Sequence, residues 1–160
     1  MSHITKIDIV IRDLEALEAA CQELGAELVR GVETYAWFGR NVGGNLPEGF
    51  TTEMLGKCTH VIRVPGVAYE VGVVRMADGT FTLLYDFWGP GAGLQKAFCI
   101  RTFHPSAENG GVDLVGKLST GLEKLKQVYG IHVASRAAKA KGYTVQRKLV
   151  GETIKLTINA

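Results

Sequence analysis

A glycine-rich segment at residues 89–93 is the first place where this sequence could do chemistry. It reads Gly-Pro-Gly-Ala-Gly and is followed by Lys96. Backbone amides at the start of a helix attract phosphate or carboxylate groups, so Gly89, Gly91, Gly93 and Lys96 form a candidate anion site. The spacing matches neither the GxxxxGK[ST] phosphate loop nor the GxGxxG dinucleotide loop, and a tight turn with a structural role is the alternative.

Side chains for acid–base, nucleophilic or metal chemistry are present but scattered. No two histidines stand at ligand spacing within one predicted element, and the widely spaced cysteines indicate neither a disulfide framework nor a zinc site. A Cys99–His104 pair is one alternative, whereas Glu70 and Asp86 are predicted on opposite faces of a hairpin, which argues against a paired acid–base site. The sequence therefore predicts no metal, no cofactor and no catalytic residue. The histidines and cysteines are His3, His60, His104, His132, Cys21, Cys58 and Cys99.

Charge is divided unevenly along the chain. Residues 1–113 carry nine Lys and Arg against fourteen Asp and Glu, a net −5, whereas residues 114–160 carry nine against two, a net +7. Clustered cations bind acidic protein surfaces or phosphates. The basic side chains of the C-terminal third are therefore the main candidate binding surface, with a solvated helix face as the simpler interpretation. The predicted surface takes eight of these nine residues, namely Lys117, Lys124, Lys126, Arg136, Lys139, Lys141, Arg147 and Lys148.

Three classes of function follow from these patterns. The leading hypothesis is a small non-enzymatic binding or adaptor domain whose basic C-terminal helix and hairpin meet an acidic protein partner. The second is a nucleic-acid-binding protein that uses the same surface. The third is a small anion- or nucleotide-binding protein or enzyme that uses residues 89–93. Pairing of an acidic N-terminal surface with the basic C-terminal surface of another copy is a further alternative.

The elements that must position these residues can be predicted from periodicity. Residues 5–12 alternate with a period of two, which is typical of a half-buried strand. Asp13 is placed to cap a helix over residues 14–24, because its carboxylate can accept from the unpaired amides of the first turn. Gly25 is placed to end that helix in the left-handed conformation.

A hairpin over residues 69–88 gives the clearest local signal. Two alternating strands flank Asp78-Gly79, the dipeptide typical of a two-residue turn. Such a turn pairs Met76 with Phe81 and sets the register of the strands. The hairpin is expected at the centre of the sheet.

A long helix and a second hairpin are predicted for the C-terminal third. Residues 101–111 read as a loop, and Asp113 as the cap of a helix that has a plausible break at Gly130. The closing hairpin turns at Gly151-Glu152. Its predicted inner face is apolar and carries Val145, Leu149, Ile154, Leu156 and Ile158.

The order β-α-β(several)-α-β-β predicts the α+β class, with an antiparallel sheet of about five to seven strands and two main helices packed beside it. A length of 160 residues without internal repeats predicts one domain over residues 1–160. The odd number of cysteines and the lack of a long apolar run predict a cytoplasmic protein without membrane contact.

Several short motifs occur in an order shared with a known family. They are Met1-Ser2-His3, Tyr69-Glu70-Val71-Gly72, Tyr85-Asp86-Phe87-Trp88-Gly89, Leu125-Lys126-Gln127-Val128-Tyr129 and Gly142-Tyr143. With these motifs the chain resembles the hypothetical chloroplast reading frame thirty-five family, a domain of unknown function in plastid, cyanobacterial, other bacterial and phage genomes. The family is sometimes encoded near AAA-type ATPases. The resemblance therefore implies an AAA-type ATPase as a partner to test, and it carries over no catalytic residue.

Overall fold

A five-stranded antiparallel sheet is the frame of the fold. The computed structural model describes residues 3–41, 45–105, 114–151 and 153–160. The sheet contains β1 (Ile4–Ile11), β2 (Glu27–Arg30), β3 (His60–Arg63), β4 (Val71–Arg75) and β5 (Phe81–Asp86), in the spatial order β1-β5-β4-β3-β2. The predicted hairpin thus lies inside the sheet, as expected.

Three α-helices and two separate pairs of strands complete the described α-helices and strands. The helices are α1 (Leu14–Glu23), α2 (Ala92–Phe98) and α3 (Glu123–Ala140); β6 (Arg101–Pro105) pairs with β7 (Leu114–Leu118) and β8 (Thr144–Val150) with β9 (Thr153–Asn159). This arrangement belongs to the predicted α+β class. None of the described helices is long and apolar enough to cross a membrane.

The first strand and helix form as their sequence predicts. Ile7 and Ile11 of β1 are buried. The Asp13 Oδ1 atom accepts from the Ala16 amide at 3.0 Å and caps α1. Gly25 follows the helix with φ of 75°, the left-handed geometry that favours glycine. The apolar alternation and the cap therefore direct the chain from the sheet into its first covering helix.

The turn between β4 and β5 differs from the two-residue turn that was predicted. The Met76 amide donates to the Thr80 carbonyl at 2.7 Å, and Gly79 has φ of 85°. This is a three-residue loop with a left-handed glycine, a geometry that an Asp-Gly dipeptide also satisfies. Phe81 therefore lies opposite Arg75, and the predicted pairing of Phe81 with Met76 is wrong by one residue.

The two faces of the sheet are covered in different ways. Leu83 and Tyr85 lie in a core shared with α1, α2 and α3, whereas Leu84 packs on the other face in a smaller cluster with Tyr35. The Tyr35 ring lies directly on the backbone of Gly72, where a Cβ atom would be 2.3 Å from the ring. Helices thus cover one face, and the chain between β2 and β3 contributes to covering the other.

The chain before α3 was predicted incorrectly. Residues 114–118 form β7 rather than the start of a helix, and the strand β6 lies within the predicted loop 101–111. Asp113, the predicted cap, lies outside the described residues. The helix begins at Glu123 and continues through Gly130 without the predicted break. Helical periodicity at leucines before residue 123 was misleading because a short apolar segment can carry the same spacing in a strand.

The hydroxyl of Tyr129 fixes α3 to the junction between β1 and α1. Its Oη atom accepts hydrogen bonds from the Arg12 amide at 3.0 Å and from the Asp13 amide at 3.3 Å. These amides lie between a strand and a helix, where the backbone has no ladder partner of its own. The Tyr129 side chain of α3 thus provides a hydrogen-bond acceptor for the backbone amides between β1 and α1.

Replacing Tyr129 by Phe tests this link. The change keeps the ring and removes the acceptor, so the two amides lose a partner and the free energy of unfolding should fall by about 1–3 kcal/mol. Urea unfolding of Tyr129→Phe is the measurement, and Tyr143→Phe, which alters an exposed tyrosine, is the matched control. An unchanged midpoint for Tyr129→Phe would contradict the assigned role.

Candidate functional site

The glycine-rich segment forms a tight turn packed against the end of β5. Gly89–Gly91 is a single 3-10 turn that leads into the seven-residue α2. A Cβ atom on Gly91 would lie 1.8 Å from the Asp86 carbonyl oxygen, and one on Gly93 would lie 2.6 Å from Val67. Close packing therefore accounts for two of the three glycines without a ligand.

A buried carboxylate occupies the entrance to this turn. Asp86 is fully buried, and its Oδ1 atom accepts from the His3 amide at 2.9 Å and the Trp88 amide at 3.1 Å. The amide that leads into the turn thus already donates to a side chain of the protein itself. The predicted anion site at Gly89, Gly91, Gly93 and Lys96 stays a prediction, and the packing of the turn does not require a bound anion.

The two carboxylates of the central hairpin have separate partners. The prediction that Glu70 and Asp86 lie on opposite faces was based on the predicted register of β4 and β5, which is wrong by one residue. Their predicted faces therefore no longer argue against a paired acid–base site, and the partners of each carboxylate bear on it directly. Glu70 forms an ion pair with Arg63 and accepts from the Ala36 amide at 2.8 Å. None of these partners is shared with Asp86, which accepts from the His3 and Trp88 amides. Each carboxylate therefore bonds to its own part of the backbone.

Burial disfavours the thiolate form of all three cysteines. Burial raises the pKa of Cys21 to about 12 and also raises the pKa of Cys99. Burial likewise raises the pKa of Cys58 to about 11, and its thiol donates to the Val32 carbonyl.

The side chain of His104 lies outside the described residues. Within the described ranges, no group of three or more His, Cys, Asp or Glu side chains is placed to hold a metal ion.

Two of the predicted basic binding residues form ion pairs with acidic side chains of the same molecule, which lie at and near α1. Arg136 forms an ion pair with Asp13 at 2.9 Å, and Arg147 forms one with Glu23. Burial acts to raise the pKa of Asp13, but the Ala16 amide and the Arg136 guanidinium outweigh it and hold the pKa below its usual value. Part of the charge division along the chain is therefore neutralised within one molecule.

The lysines of the predicted surface are left without such partners. Lys124 and Lys126 lie in the first turn of α3, while Lys139 and Lys141 lie at its other end, about 22 Å away at 1.5 Å per residue. Among the described residues, neither these four lysines nor Lys148 forms an ion pair within 4 Å. The side chain of Lys117 lies outside the described residues. The predicted surface is therefore divided, and only its C-terminal half adjoins the hairpin β8–β9.

This hairpin, here called the C-terminal arm, places two lysines directly opposite each other. Val150 pairs with Thr153 across the predicted turn at residues 151 and 152, of which Glu152 lies outside the described residues, and the same register pairs Lys148 with Lys155. Like charges opposite each other destabilise a strand pair. Lys155 was missed as a site residue, although the predicted turn already implied its position opposite Lys148.

Large apolar side chains are exposed on the arm beside these lysines. Leu149 is 70% exposed, Val150 53% and Ile158 46%. The register places the predicted apolar residues on one face, with Val145 opposite Ile158 and Leu149 opposite Ile154. That face is only partly covered, through contacts of β8 with α3 and the ion pair from Arg147 to α1. The arm thus presents apolar surface next to unpaired positive charge.

Comparisons with protein-family models, curated proteins and solved structures find no match to this chain.

Substitution of Gly91 by Ala tests the packing role of the glycine-rich turn. The new methyl group meets a backbone carbonyl that cannot rotate away, so the free energy of unfolding should fall by at least about 2 kcal/mol. Gly130→Ala is the matched control because Gly130 lies in a helix with open space around it. That change should raise the free energy of unfolding by about 0.5–1 kcal/mol. Equal effects of the two substitutions in chemical denaturation would contradict this interpretation.

Substitution of Lys155 by Glu tests the repulsion within the arm. The change converts a like-charge pair into an opposite-charge pair, so the arm should be stabilised by about 0.2–1 kcal/mol. Amide hydrogen exchange of β8 and β9 should slow accordingly, and Lys155→Gln should give an intermediate rate. Lys124→Glu, at the far end of α3, is the control that should leave these rates unchanged. Faster exchange in Lys155→Glu would show that the lysines do not repel each other.

Proposed function

We propose that this chain is a non-enzymatic binding or adaptor domain whose C-terminal arm and adjoining end of α3 dock on an acidic protein surface. The observation that carries the proposal is the cross-strand pair Lys148–Lys155, with the exposed Val150 on the same face of the arm and the exposed Leu149 on the opposite face. A carboxylate placed between the two ammonium groups relieves their repulsion, and contact with the neighbouring apolar side chains removes them from water.

The composition of this surface favours a protein partner over nucleic acid. Protein interfaces combine apolar contacts with polar ones, and the arm has exposed aliphatic side chains at Leu149, Val150 and Ile158 as well as the cross-strand lysines Lys148 and Lys155. Surfaces that bind single-stranded nucleic acid combine cations with stacking aromatics, whereas Tyr143 is the exposed aromatic residue described next to the arm. Nucleic-acid binding by the same lysines is the second candidate and is separated by the experiment below.

A small anion at residues 89–93 has weaker support. The amide at the entrance to the turn already donates to Asp86, and the glycines have packing reasons of their own. A thermal-shift series with phosphate and nucleotides separates this third candidate, since a ligand of the folded state raises the melting temperature.

Capture of partners by matched variants tests the proposal. The variant Lys148→Glu/Lys155→Glu keeps a like-charge pair across the strands, so the arm retains a comparable repulsion while its sign is reversed. The control Lys6→Glu/Lys57→Glu makes the same change of net charge at exposed lysines outside every candidate site. Proteins from native extract, captured at physiological salt with and without nuclease treatment, should bind to the wild type and the control but not to the arm variant.

The outcomes separate the candidates. Identical sets of captured proteins for all three forms would overturn the proposal, and capture that disappears on nuclease treatment would support nucleic acid instead. The resemblance to a family sometimes encoded near AAA-type ATPases supplies one defined partner, and direct titration of such an ATPase from the native genome should show the same dependence on the arm lysines.

A further inference from the structure

We infer that the partner binds as an added β-strand along the outer edge of β9, through an extended segment in which acidic and apolar residues alternate. This inference rests on the proposed function and specifies the chemistry of the partner. It is carried by three features of the C-terminal arm: an unpaired edge, outward backbone groups and two faces of different character.

The edge of β9 is open over its whole length. The sheet that contains β9 has two strands, and within the described part of the chain no further strand pairs with it. A two-stranded hairpin is marginal in water, and three or more strands with an apolar face are much more stable. A third strand from a partner therefore completes a structure that the chain itself leaves at two strands.

The register identifies the backbone groups that would bond to the added strand. In a hairpin closed by a two-residue turn, hydrogen-bonded pairs alternate along the strands, starting from the closing pair Val150 and Thr153. The residues between these pairs direct their N–H and C=O groups away from the partner strand. On β9 those residues are Ile154, Leu156 and Ile158, which present their amides and carbonyls to the open edge.

The two faces of the arm determine the pattern that the added strand must carry. One face presents Lys148 and Lys155, while the other carries the apolar row in which Leu156 lies opposite Arg147. Successive side chains of a strand point to opposite faces. A segment that alternates Glu or Asp with Val, Ile or Leu thus places its carboxylates beside the lysines and its apolar side chains beside Ile154, Leu156 and Ile158.

The other sheet edges are less suited to pairing. The strand β1 has an irregular register between Ile7 and Ile11, which interrupts the edge as β-bulges do. The strand β2 has only four residues, and β6 and β7 have five each. In the arm, β8 carries the adjacent charges Arg147 and Lys148 and contacts α3, whereas the seven-residue β9 carries Lys155 as its single described charge. The edge of β9 is thus the longest regular edge with little charge to oppose pairing.

Synthetic peptides test this mode of binding on the full-length protein. The first alternates Glu with Val over nine residues and has blocked ends. The second has the same composition with its Glu and Val residues in separate blocks, and the third is the alternating peptide with N-methyl groups on the amides that would face β9. Each is titrated below its self-association concentration, with affinity followed by fluorescence anisotropy and the contact followed by amide NMR.

The alternating peptide should bind at least about tenfold more tightly than the other two, a difference of about 1.4 kcal/mol. The amides of Ile154, Leu156 and Ile158 should gain protection from exchange, and Lys148→Glu/Lys155→Glu should abolish the preference. Equal affinity for the alternating and blocked peptides, or protection at β1 instead of β9, would overturn the inference. If the peptide test fails but the arm lysines still determine which proteins are captured, only the strand-addition inference is overturned and the proposed function stands. If the peptide test fails and capture does not depend on the arm lysines either, both proposals are overturned.

Discussion

The contact between α1 and α3 is the interaction on which the C-terminal half of this structure depends. Leu17 and Cys21 of α1 belong to the same buried core as Leu125 and Val128 of α3, and the Tyr129 hydroxyl adds hydrogen bonds to the chain that enters α1. The five-stranded sheet supplies the surface beneath both helices. Because α3 leads directly into β8, the position of the C-terminal arm follows from how α3 is held against α1.

Two arginine ion pairs support the packing of α3 and the arm on α1, whereas the lysines of this region form no such pairs among the described residues. Guanidinium groups pair with carboxylates in a directed geometry, whereas ammonium groups are compact and strongly hydrated. Arg136 and Arg147 accordingly join α3 and the arm to Asp13 and Glu23. The ion pairs are exposed and each contributes little to stability. Their more important consequence is geometrical, since the acidic side of α1 is used within the molecule and the positive charge at the arm is left uncompensated.

Sequence reasoning succeeded where a local rule had a single structural outcome. The cap at Asp13 predicted the start of α1 because a carboxylate before a helix has one favourable use there. It failed where one pattern permits two geometries. Asp78-Gly79 suits both a two-residue turn and a three-residue loop, and the choice moved Phe81 opposite Arg75. The pairing of Lys148 with Lys155 was implied by the predicted turn, but counting charges along the chain does not show which side chains face each other.

The features that weaken the arm as a separate element are the ones on which the proposed docking rests. A two-stranded hairpin with opposed lysines and exposed aliphatic side chains is marginal by itself, and contacts of β8 with α3 and the Arg147–Glu23 ion pair hold it to the rest of the fold. A domain that needed only to be stable would gain from an acidic residue at position 155 and a polar one at position 149. A partner strand with alternating acidic and apolar residues would compensate the charge, satisfy the edge and cover the apolar face in one step. Part of the interaction energy would be used to order the arm, so the affinity would depend on how far the arm is ordered before the partner arrives.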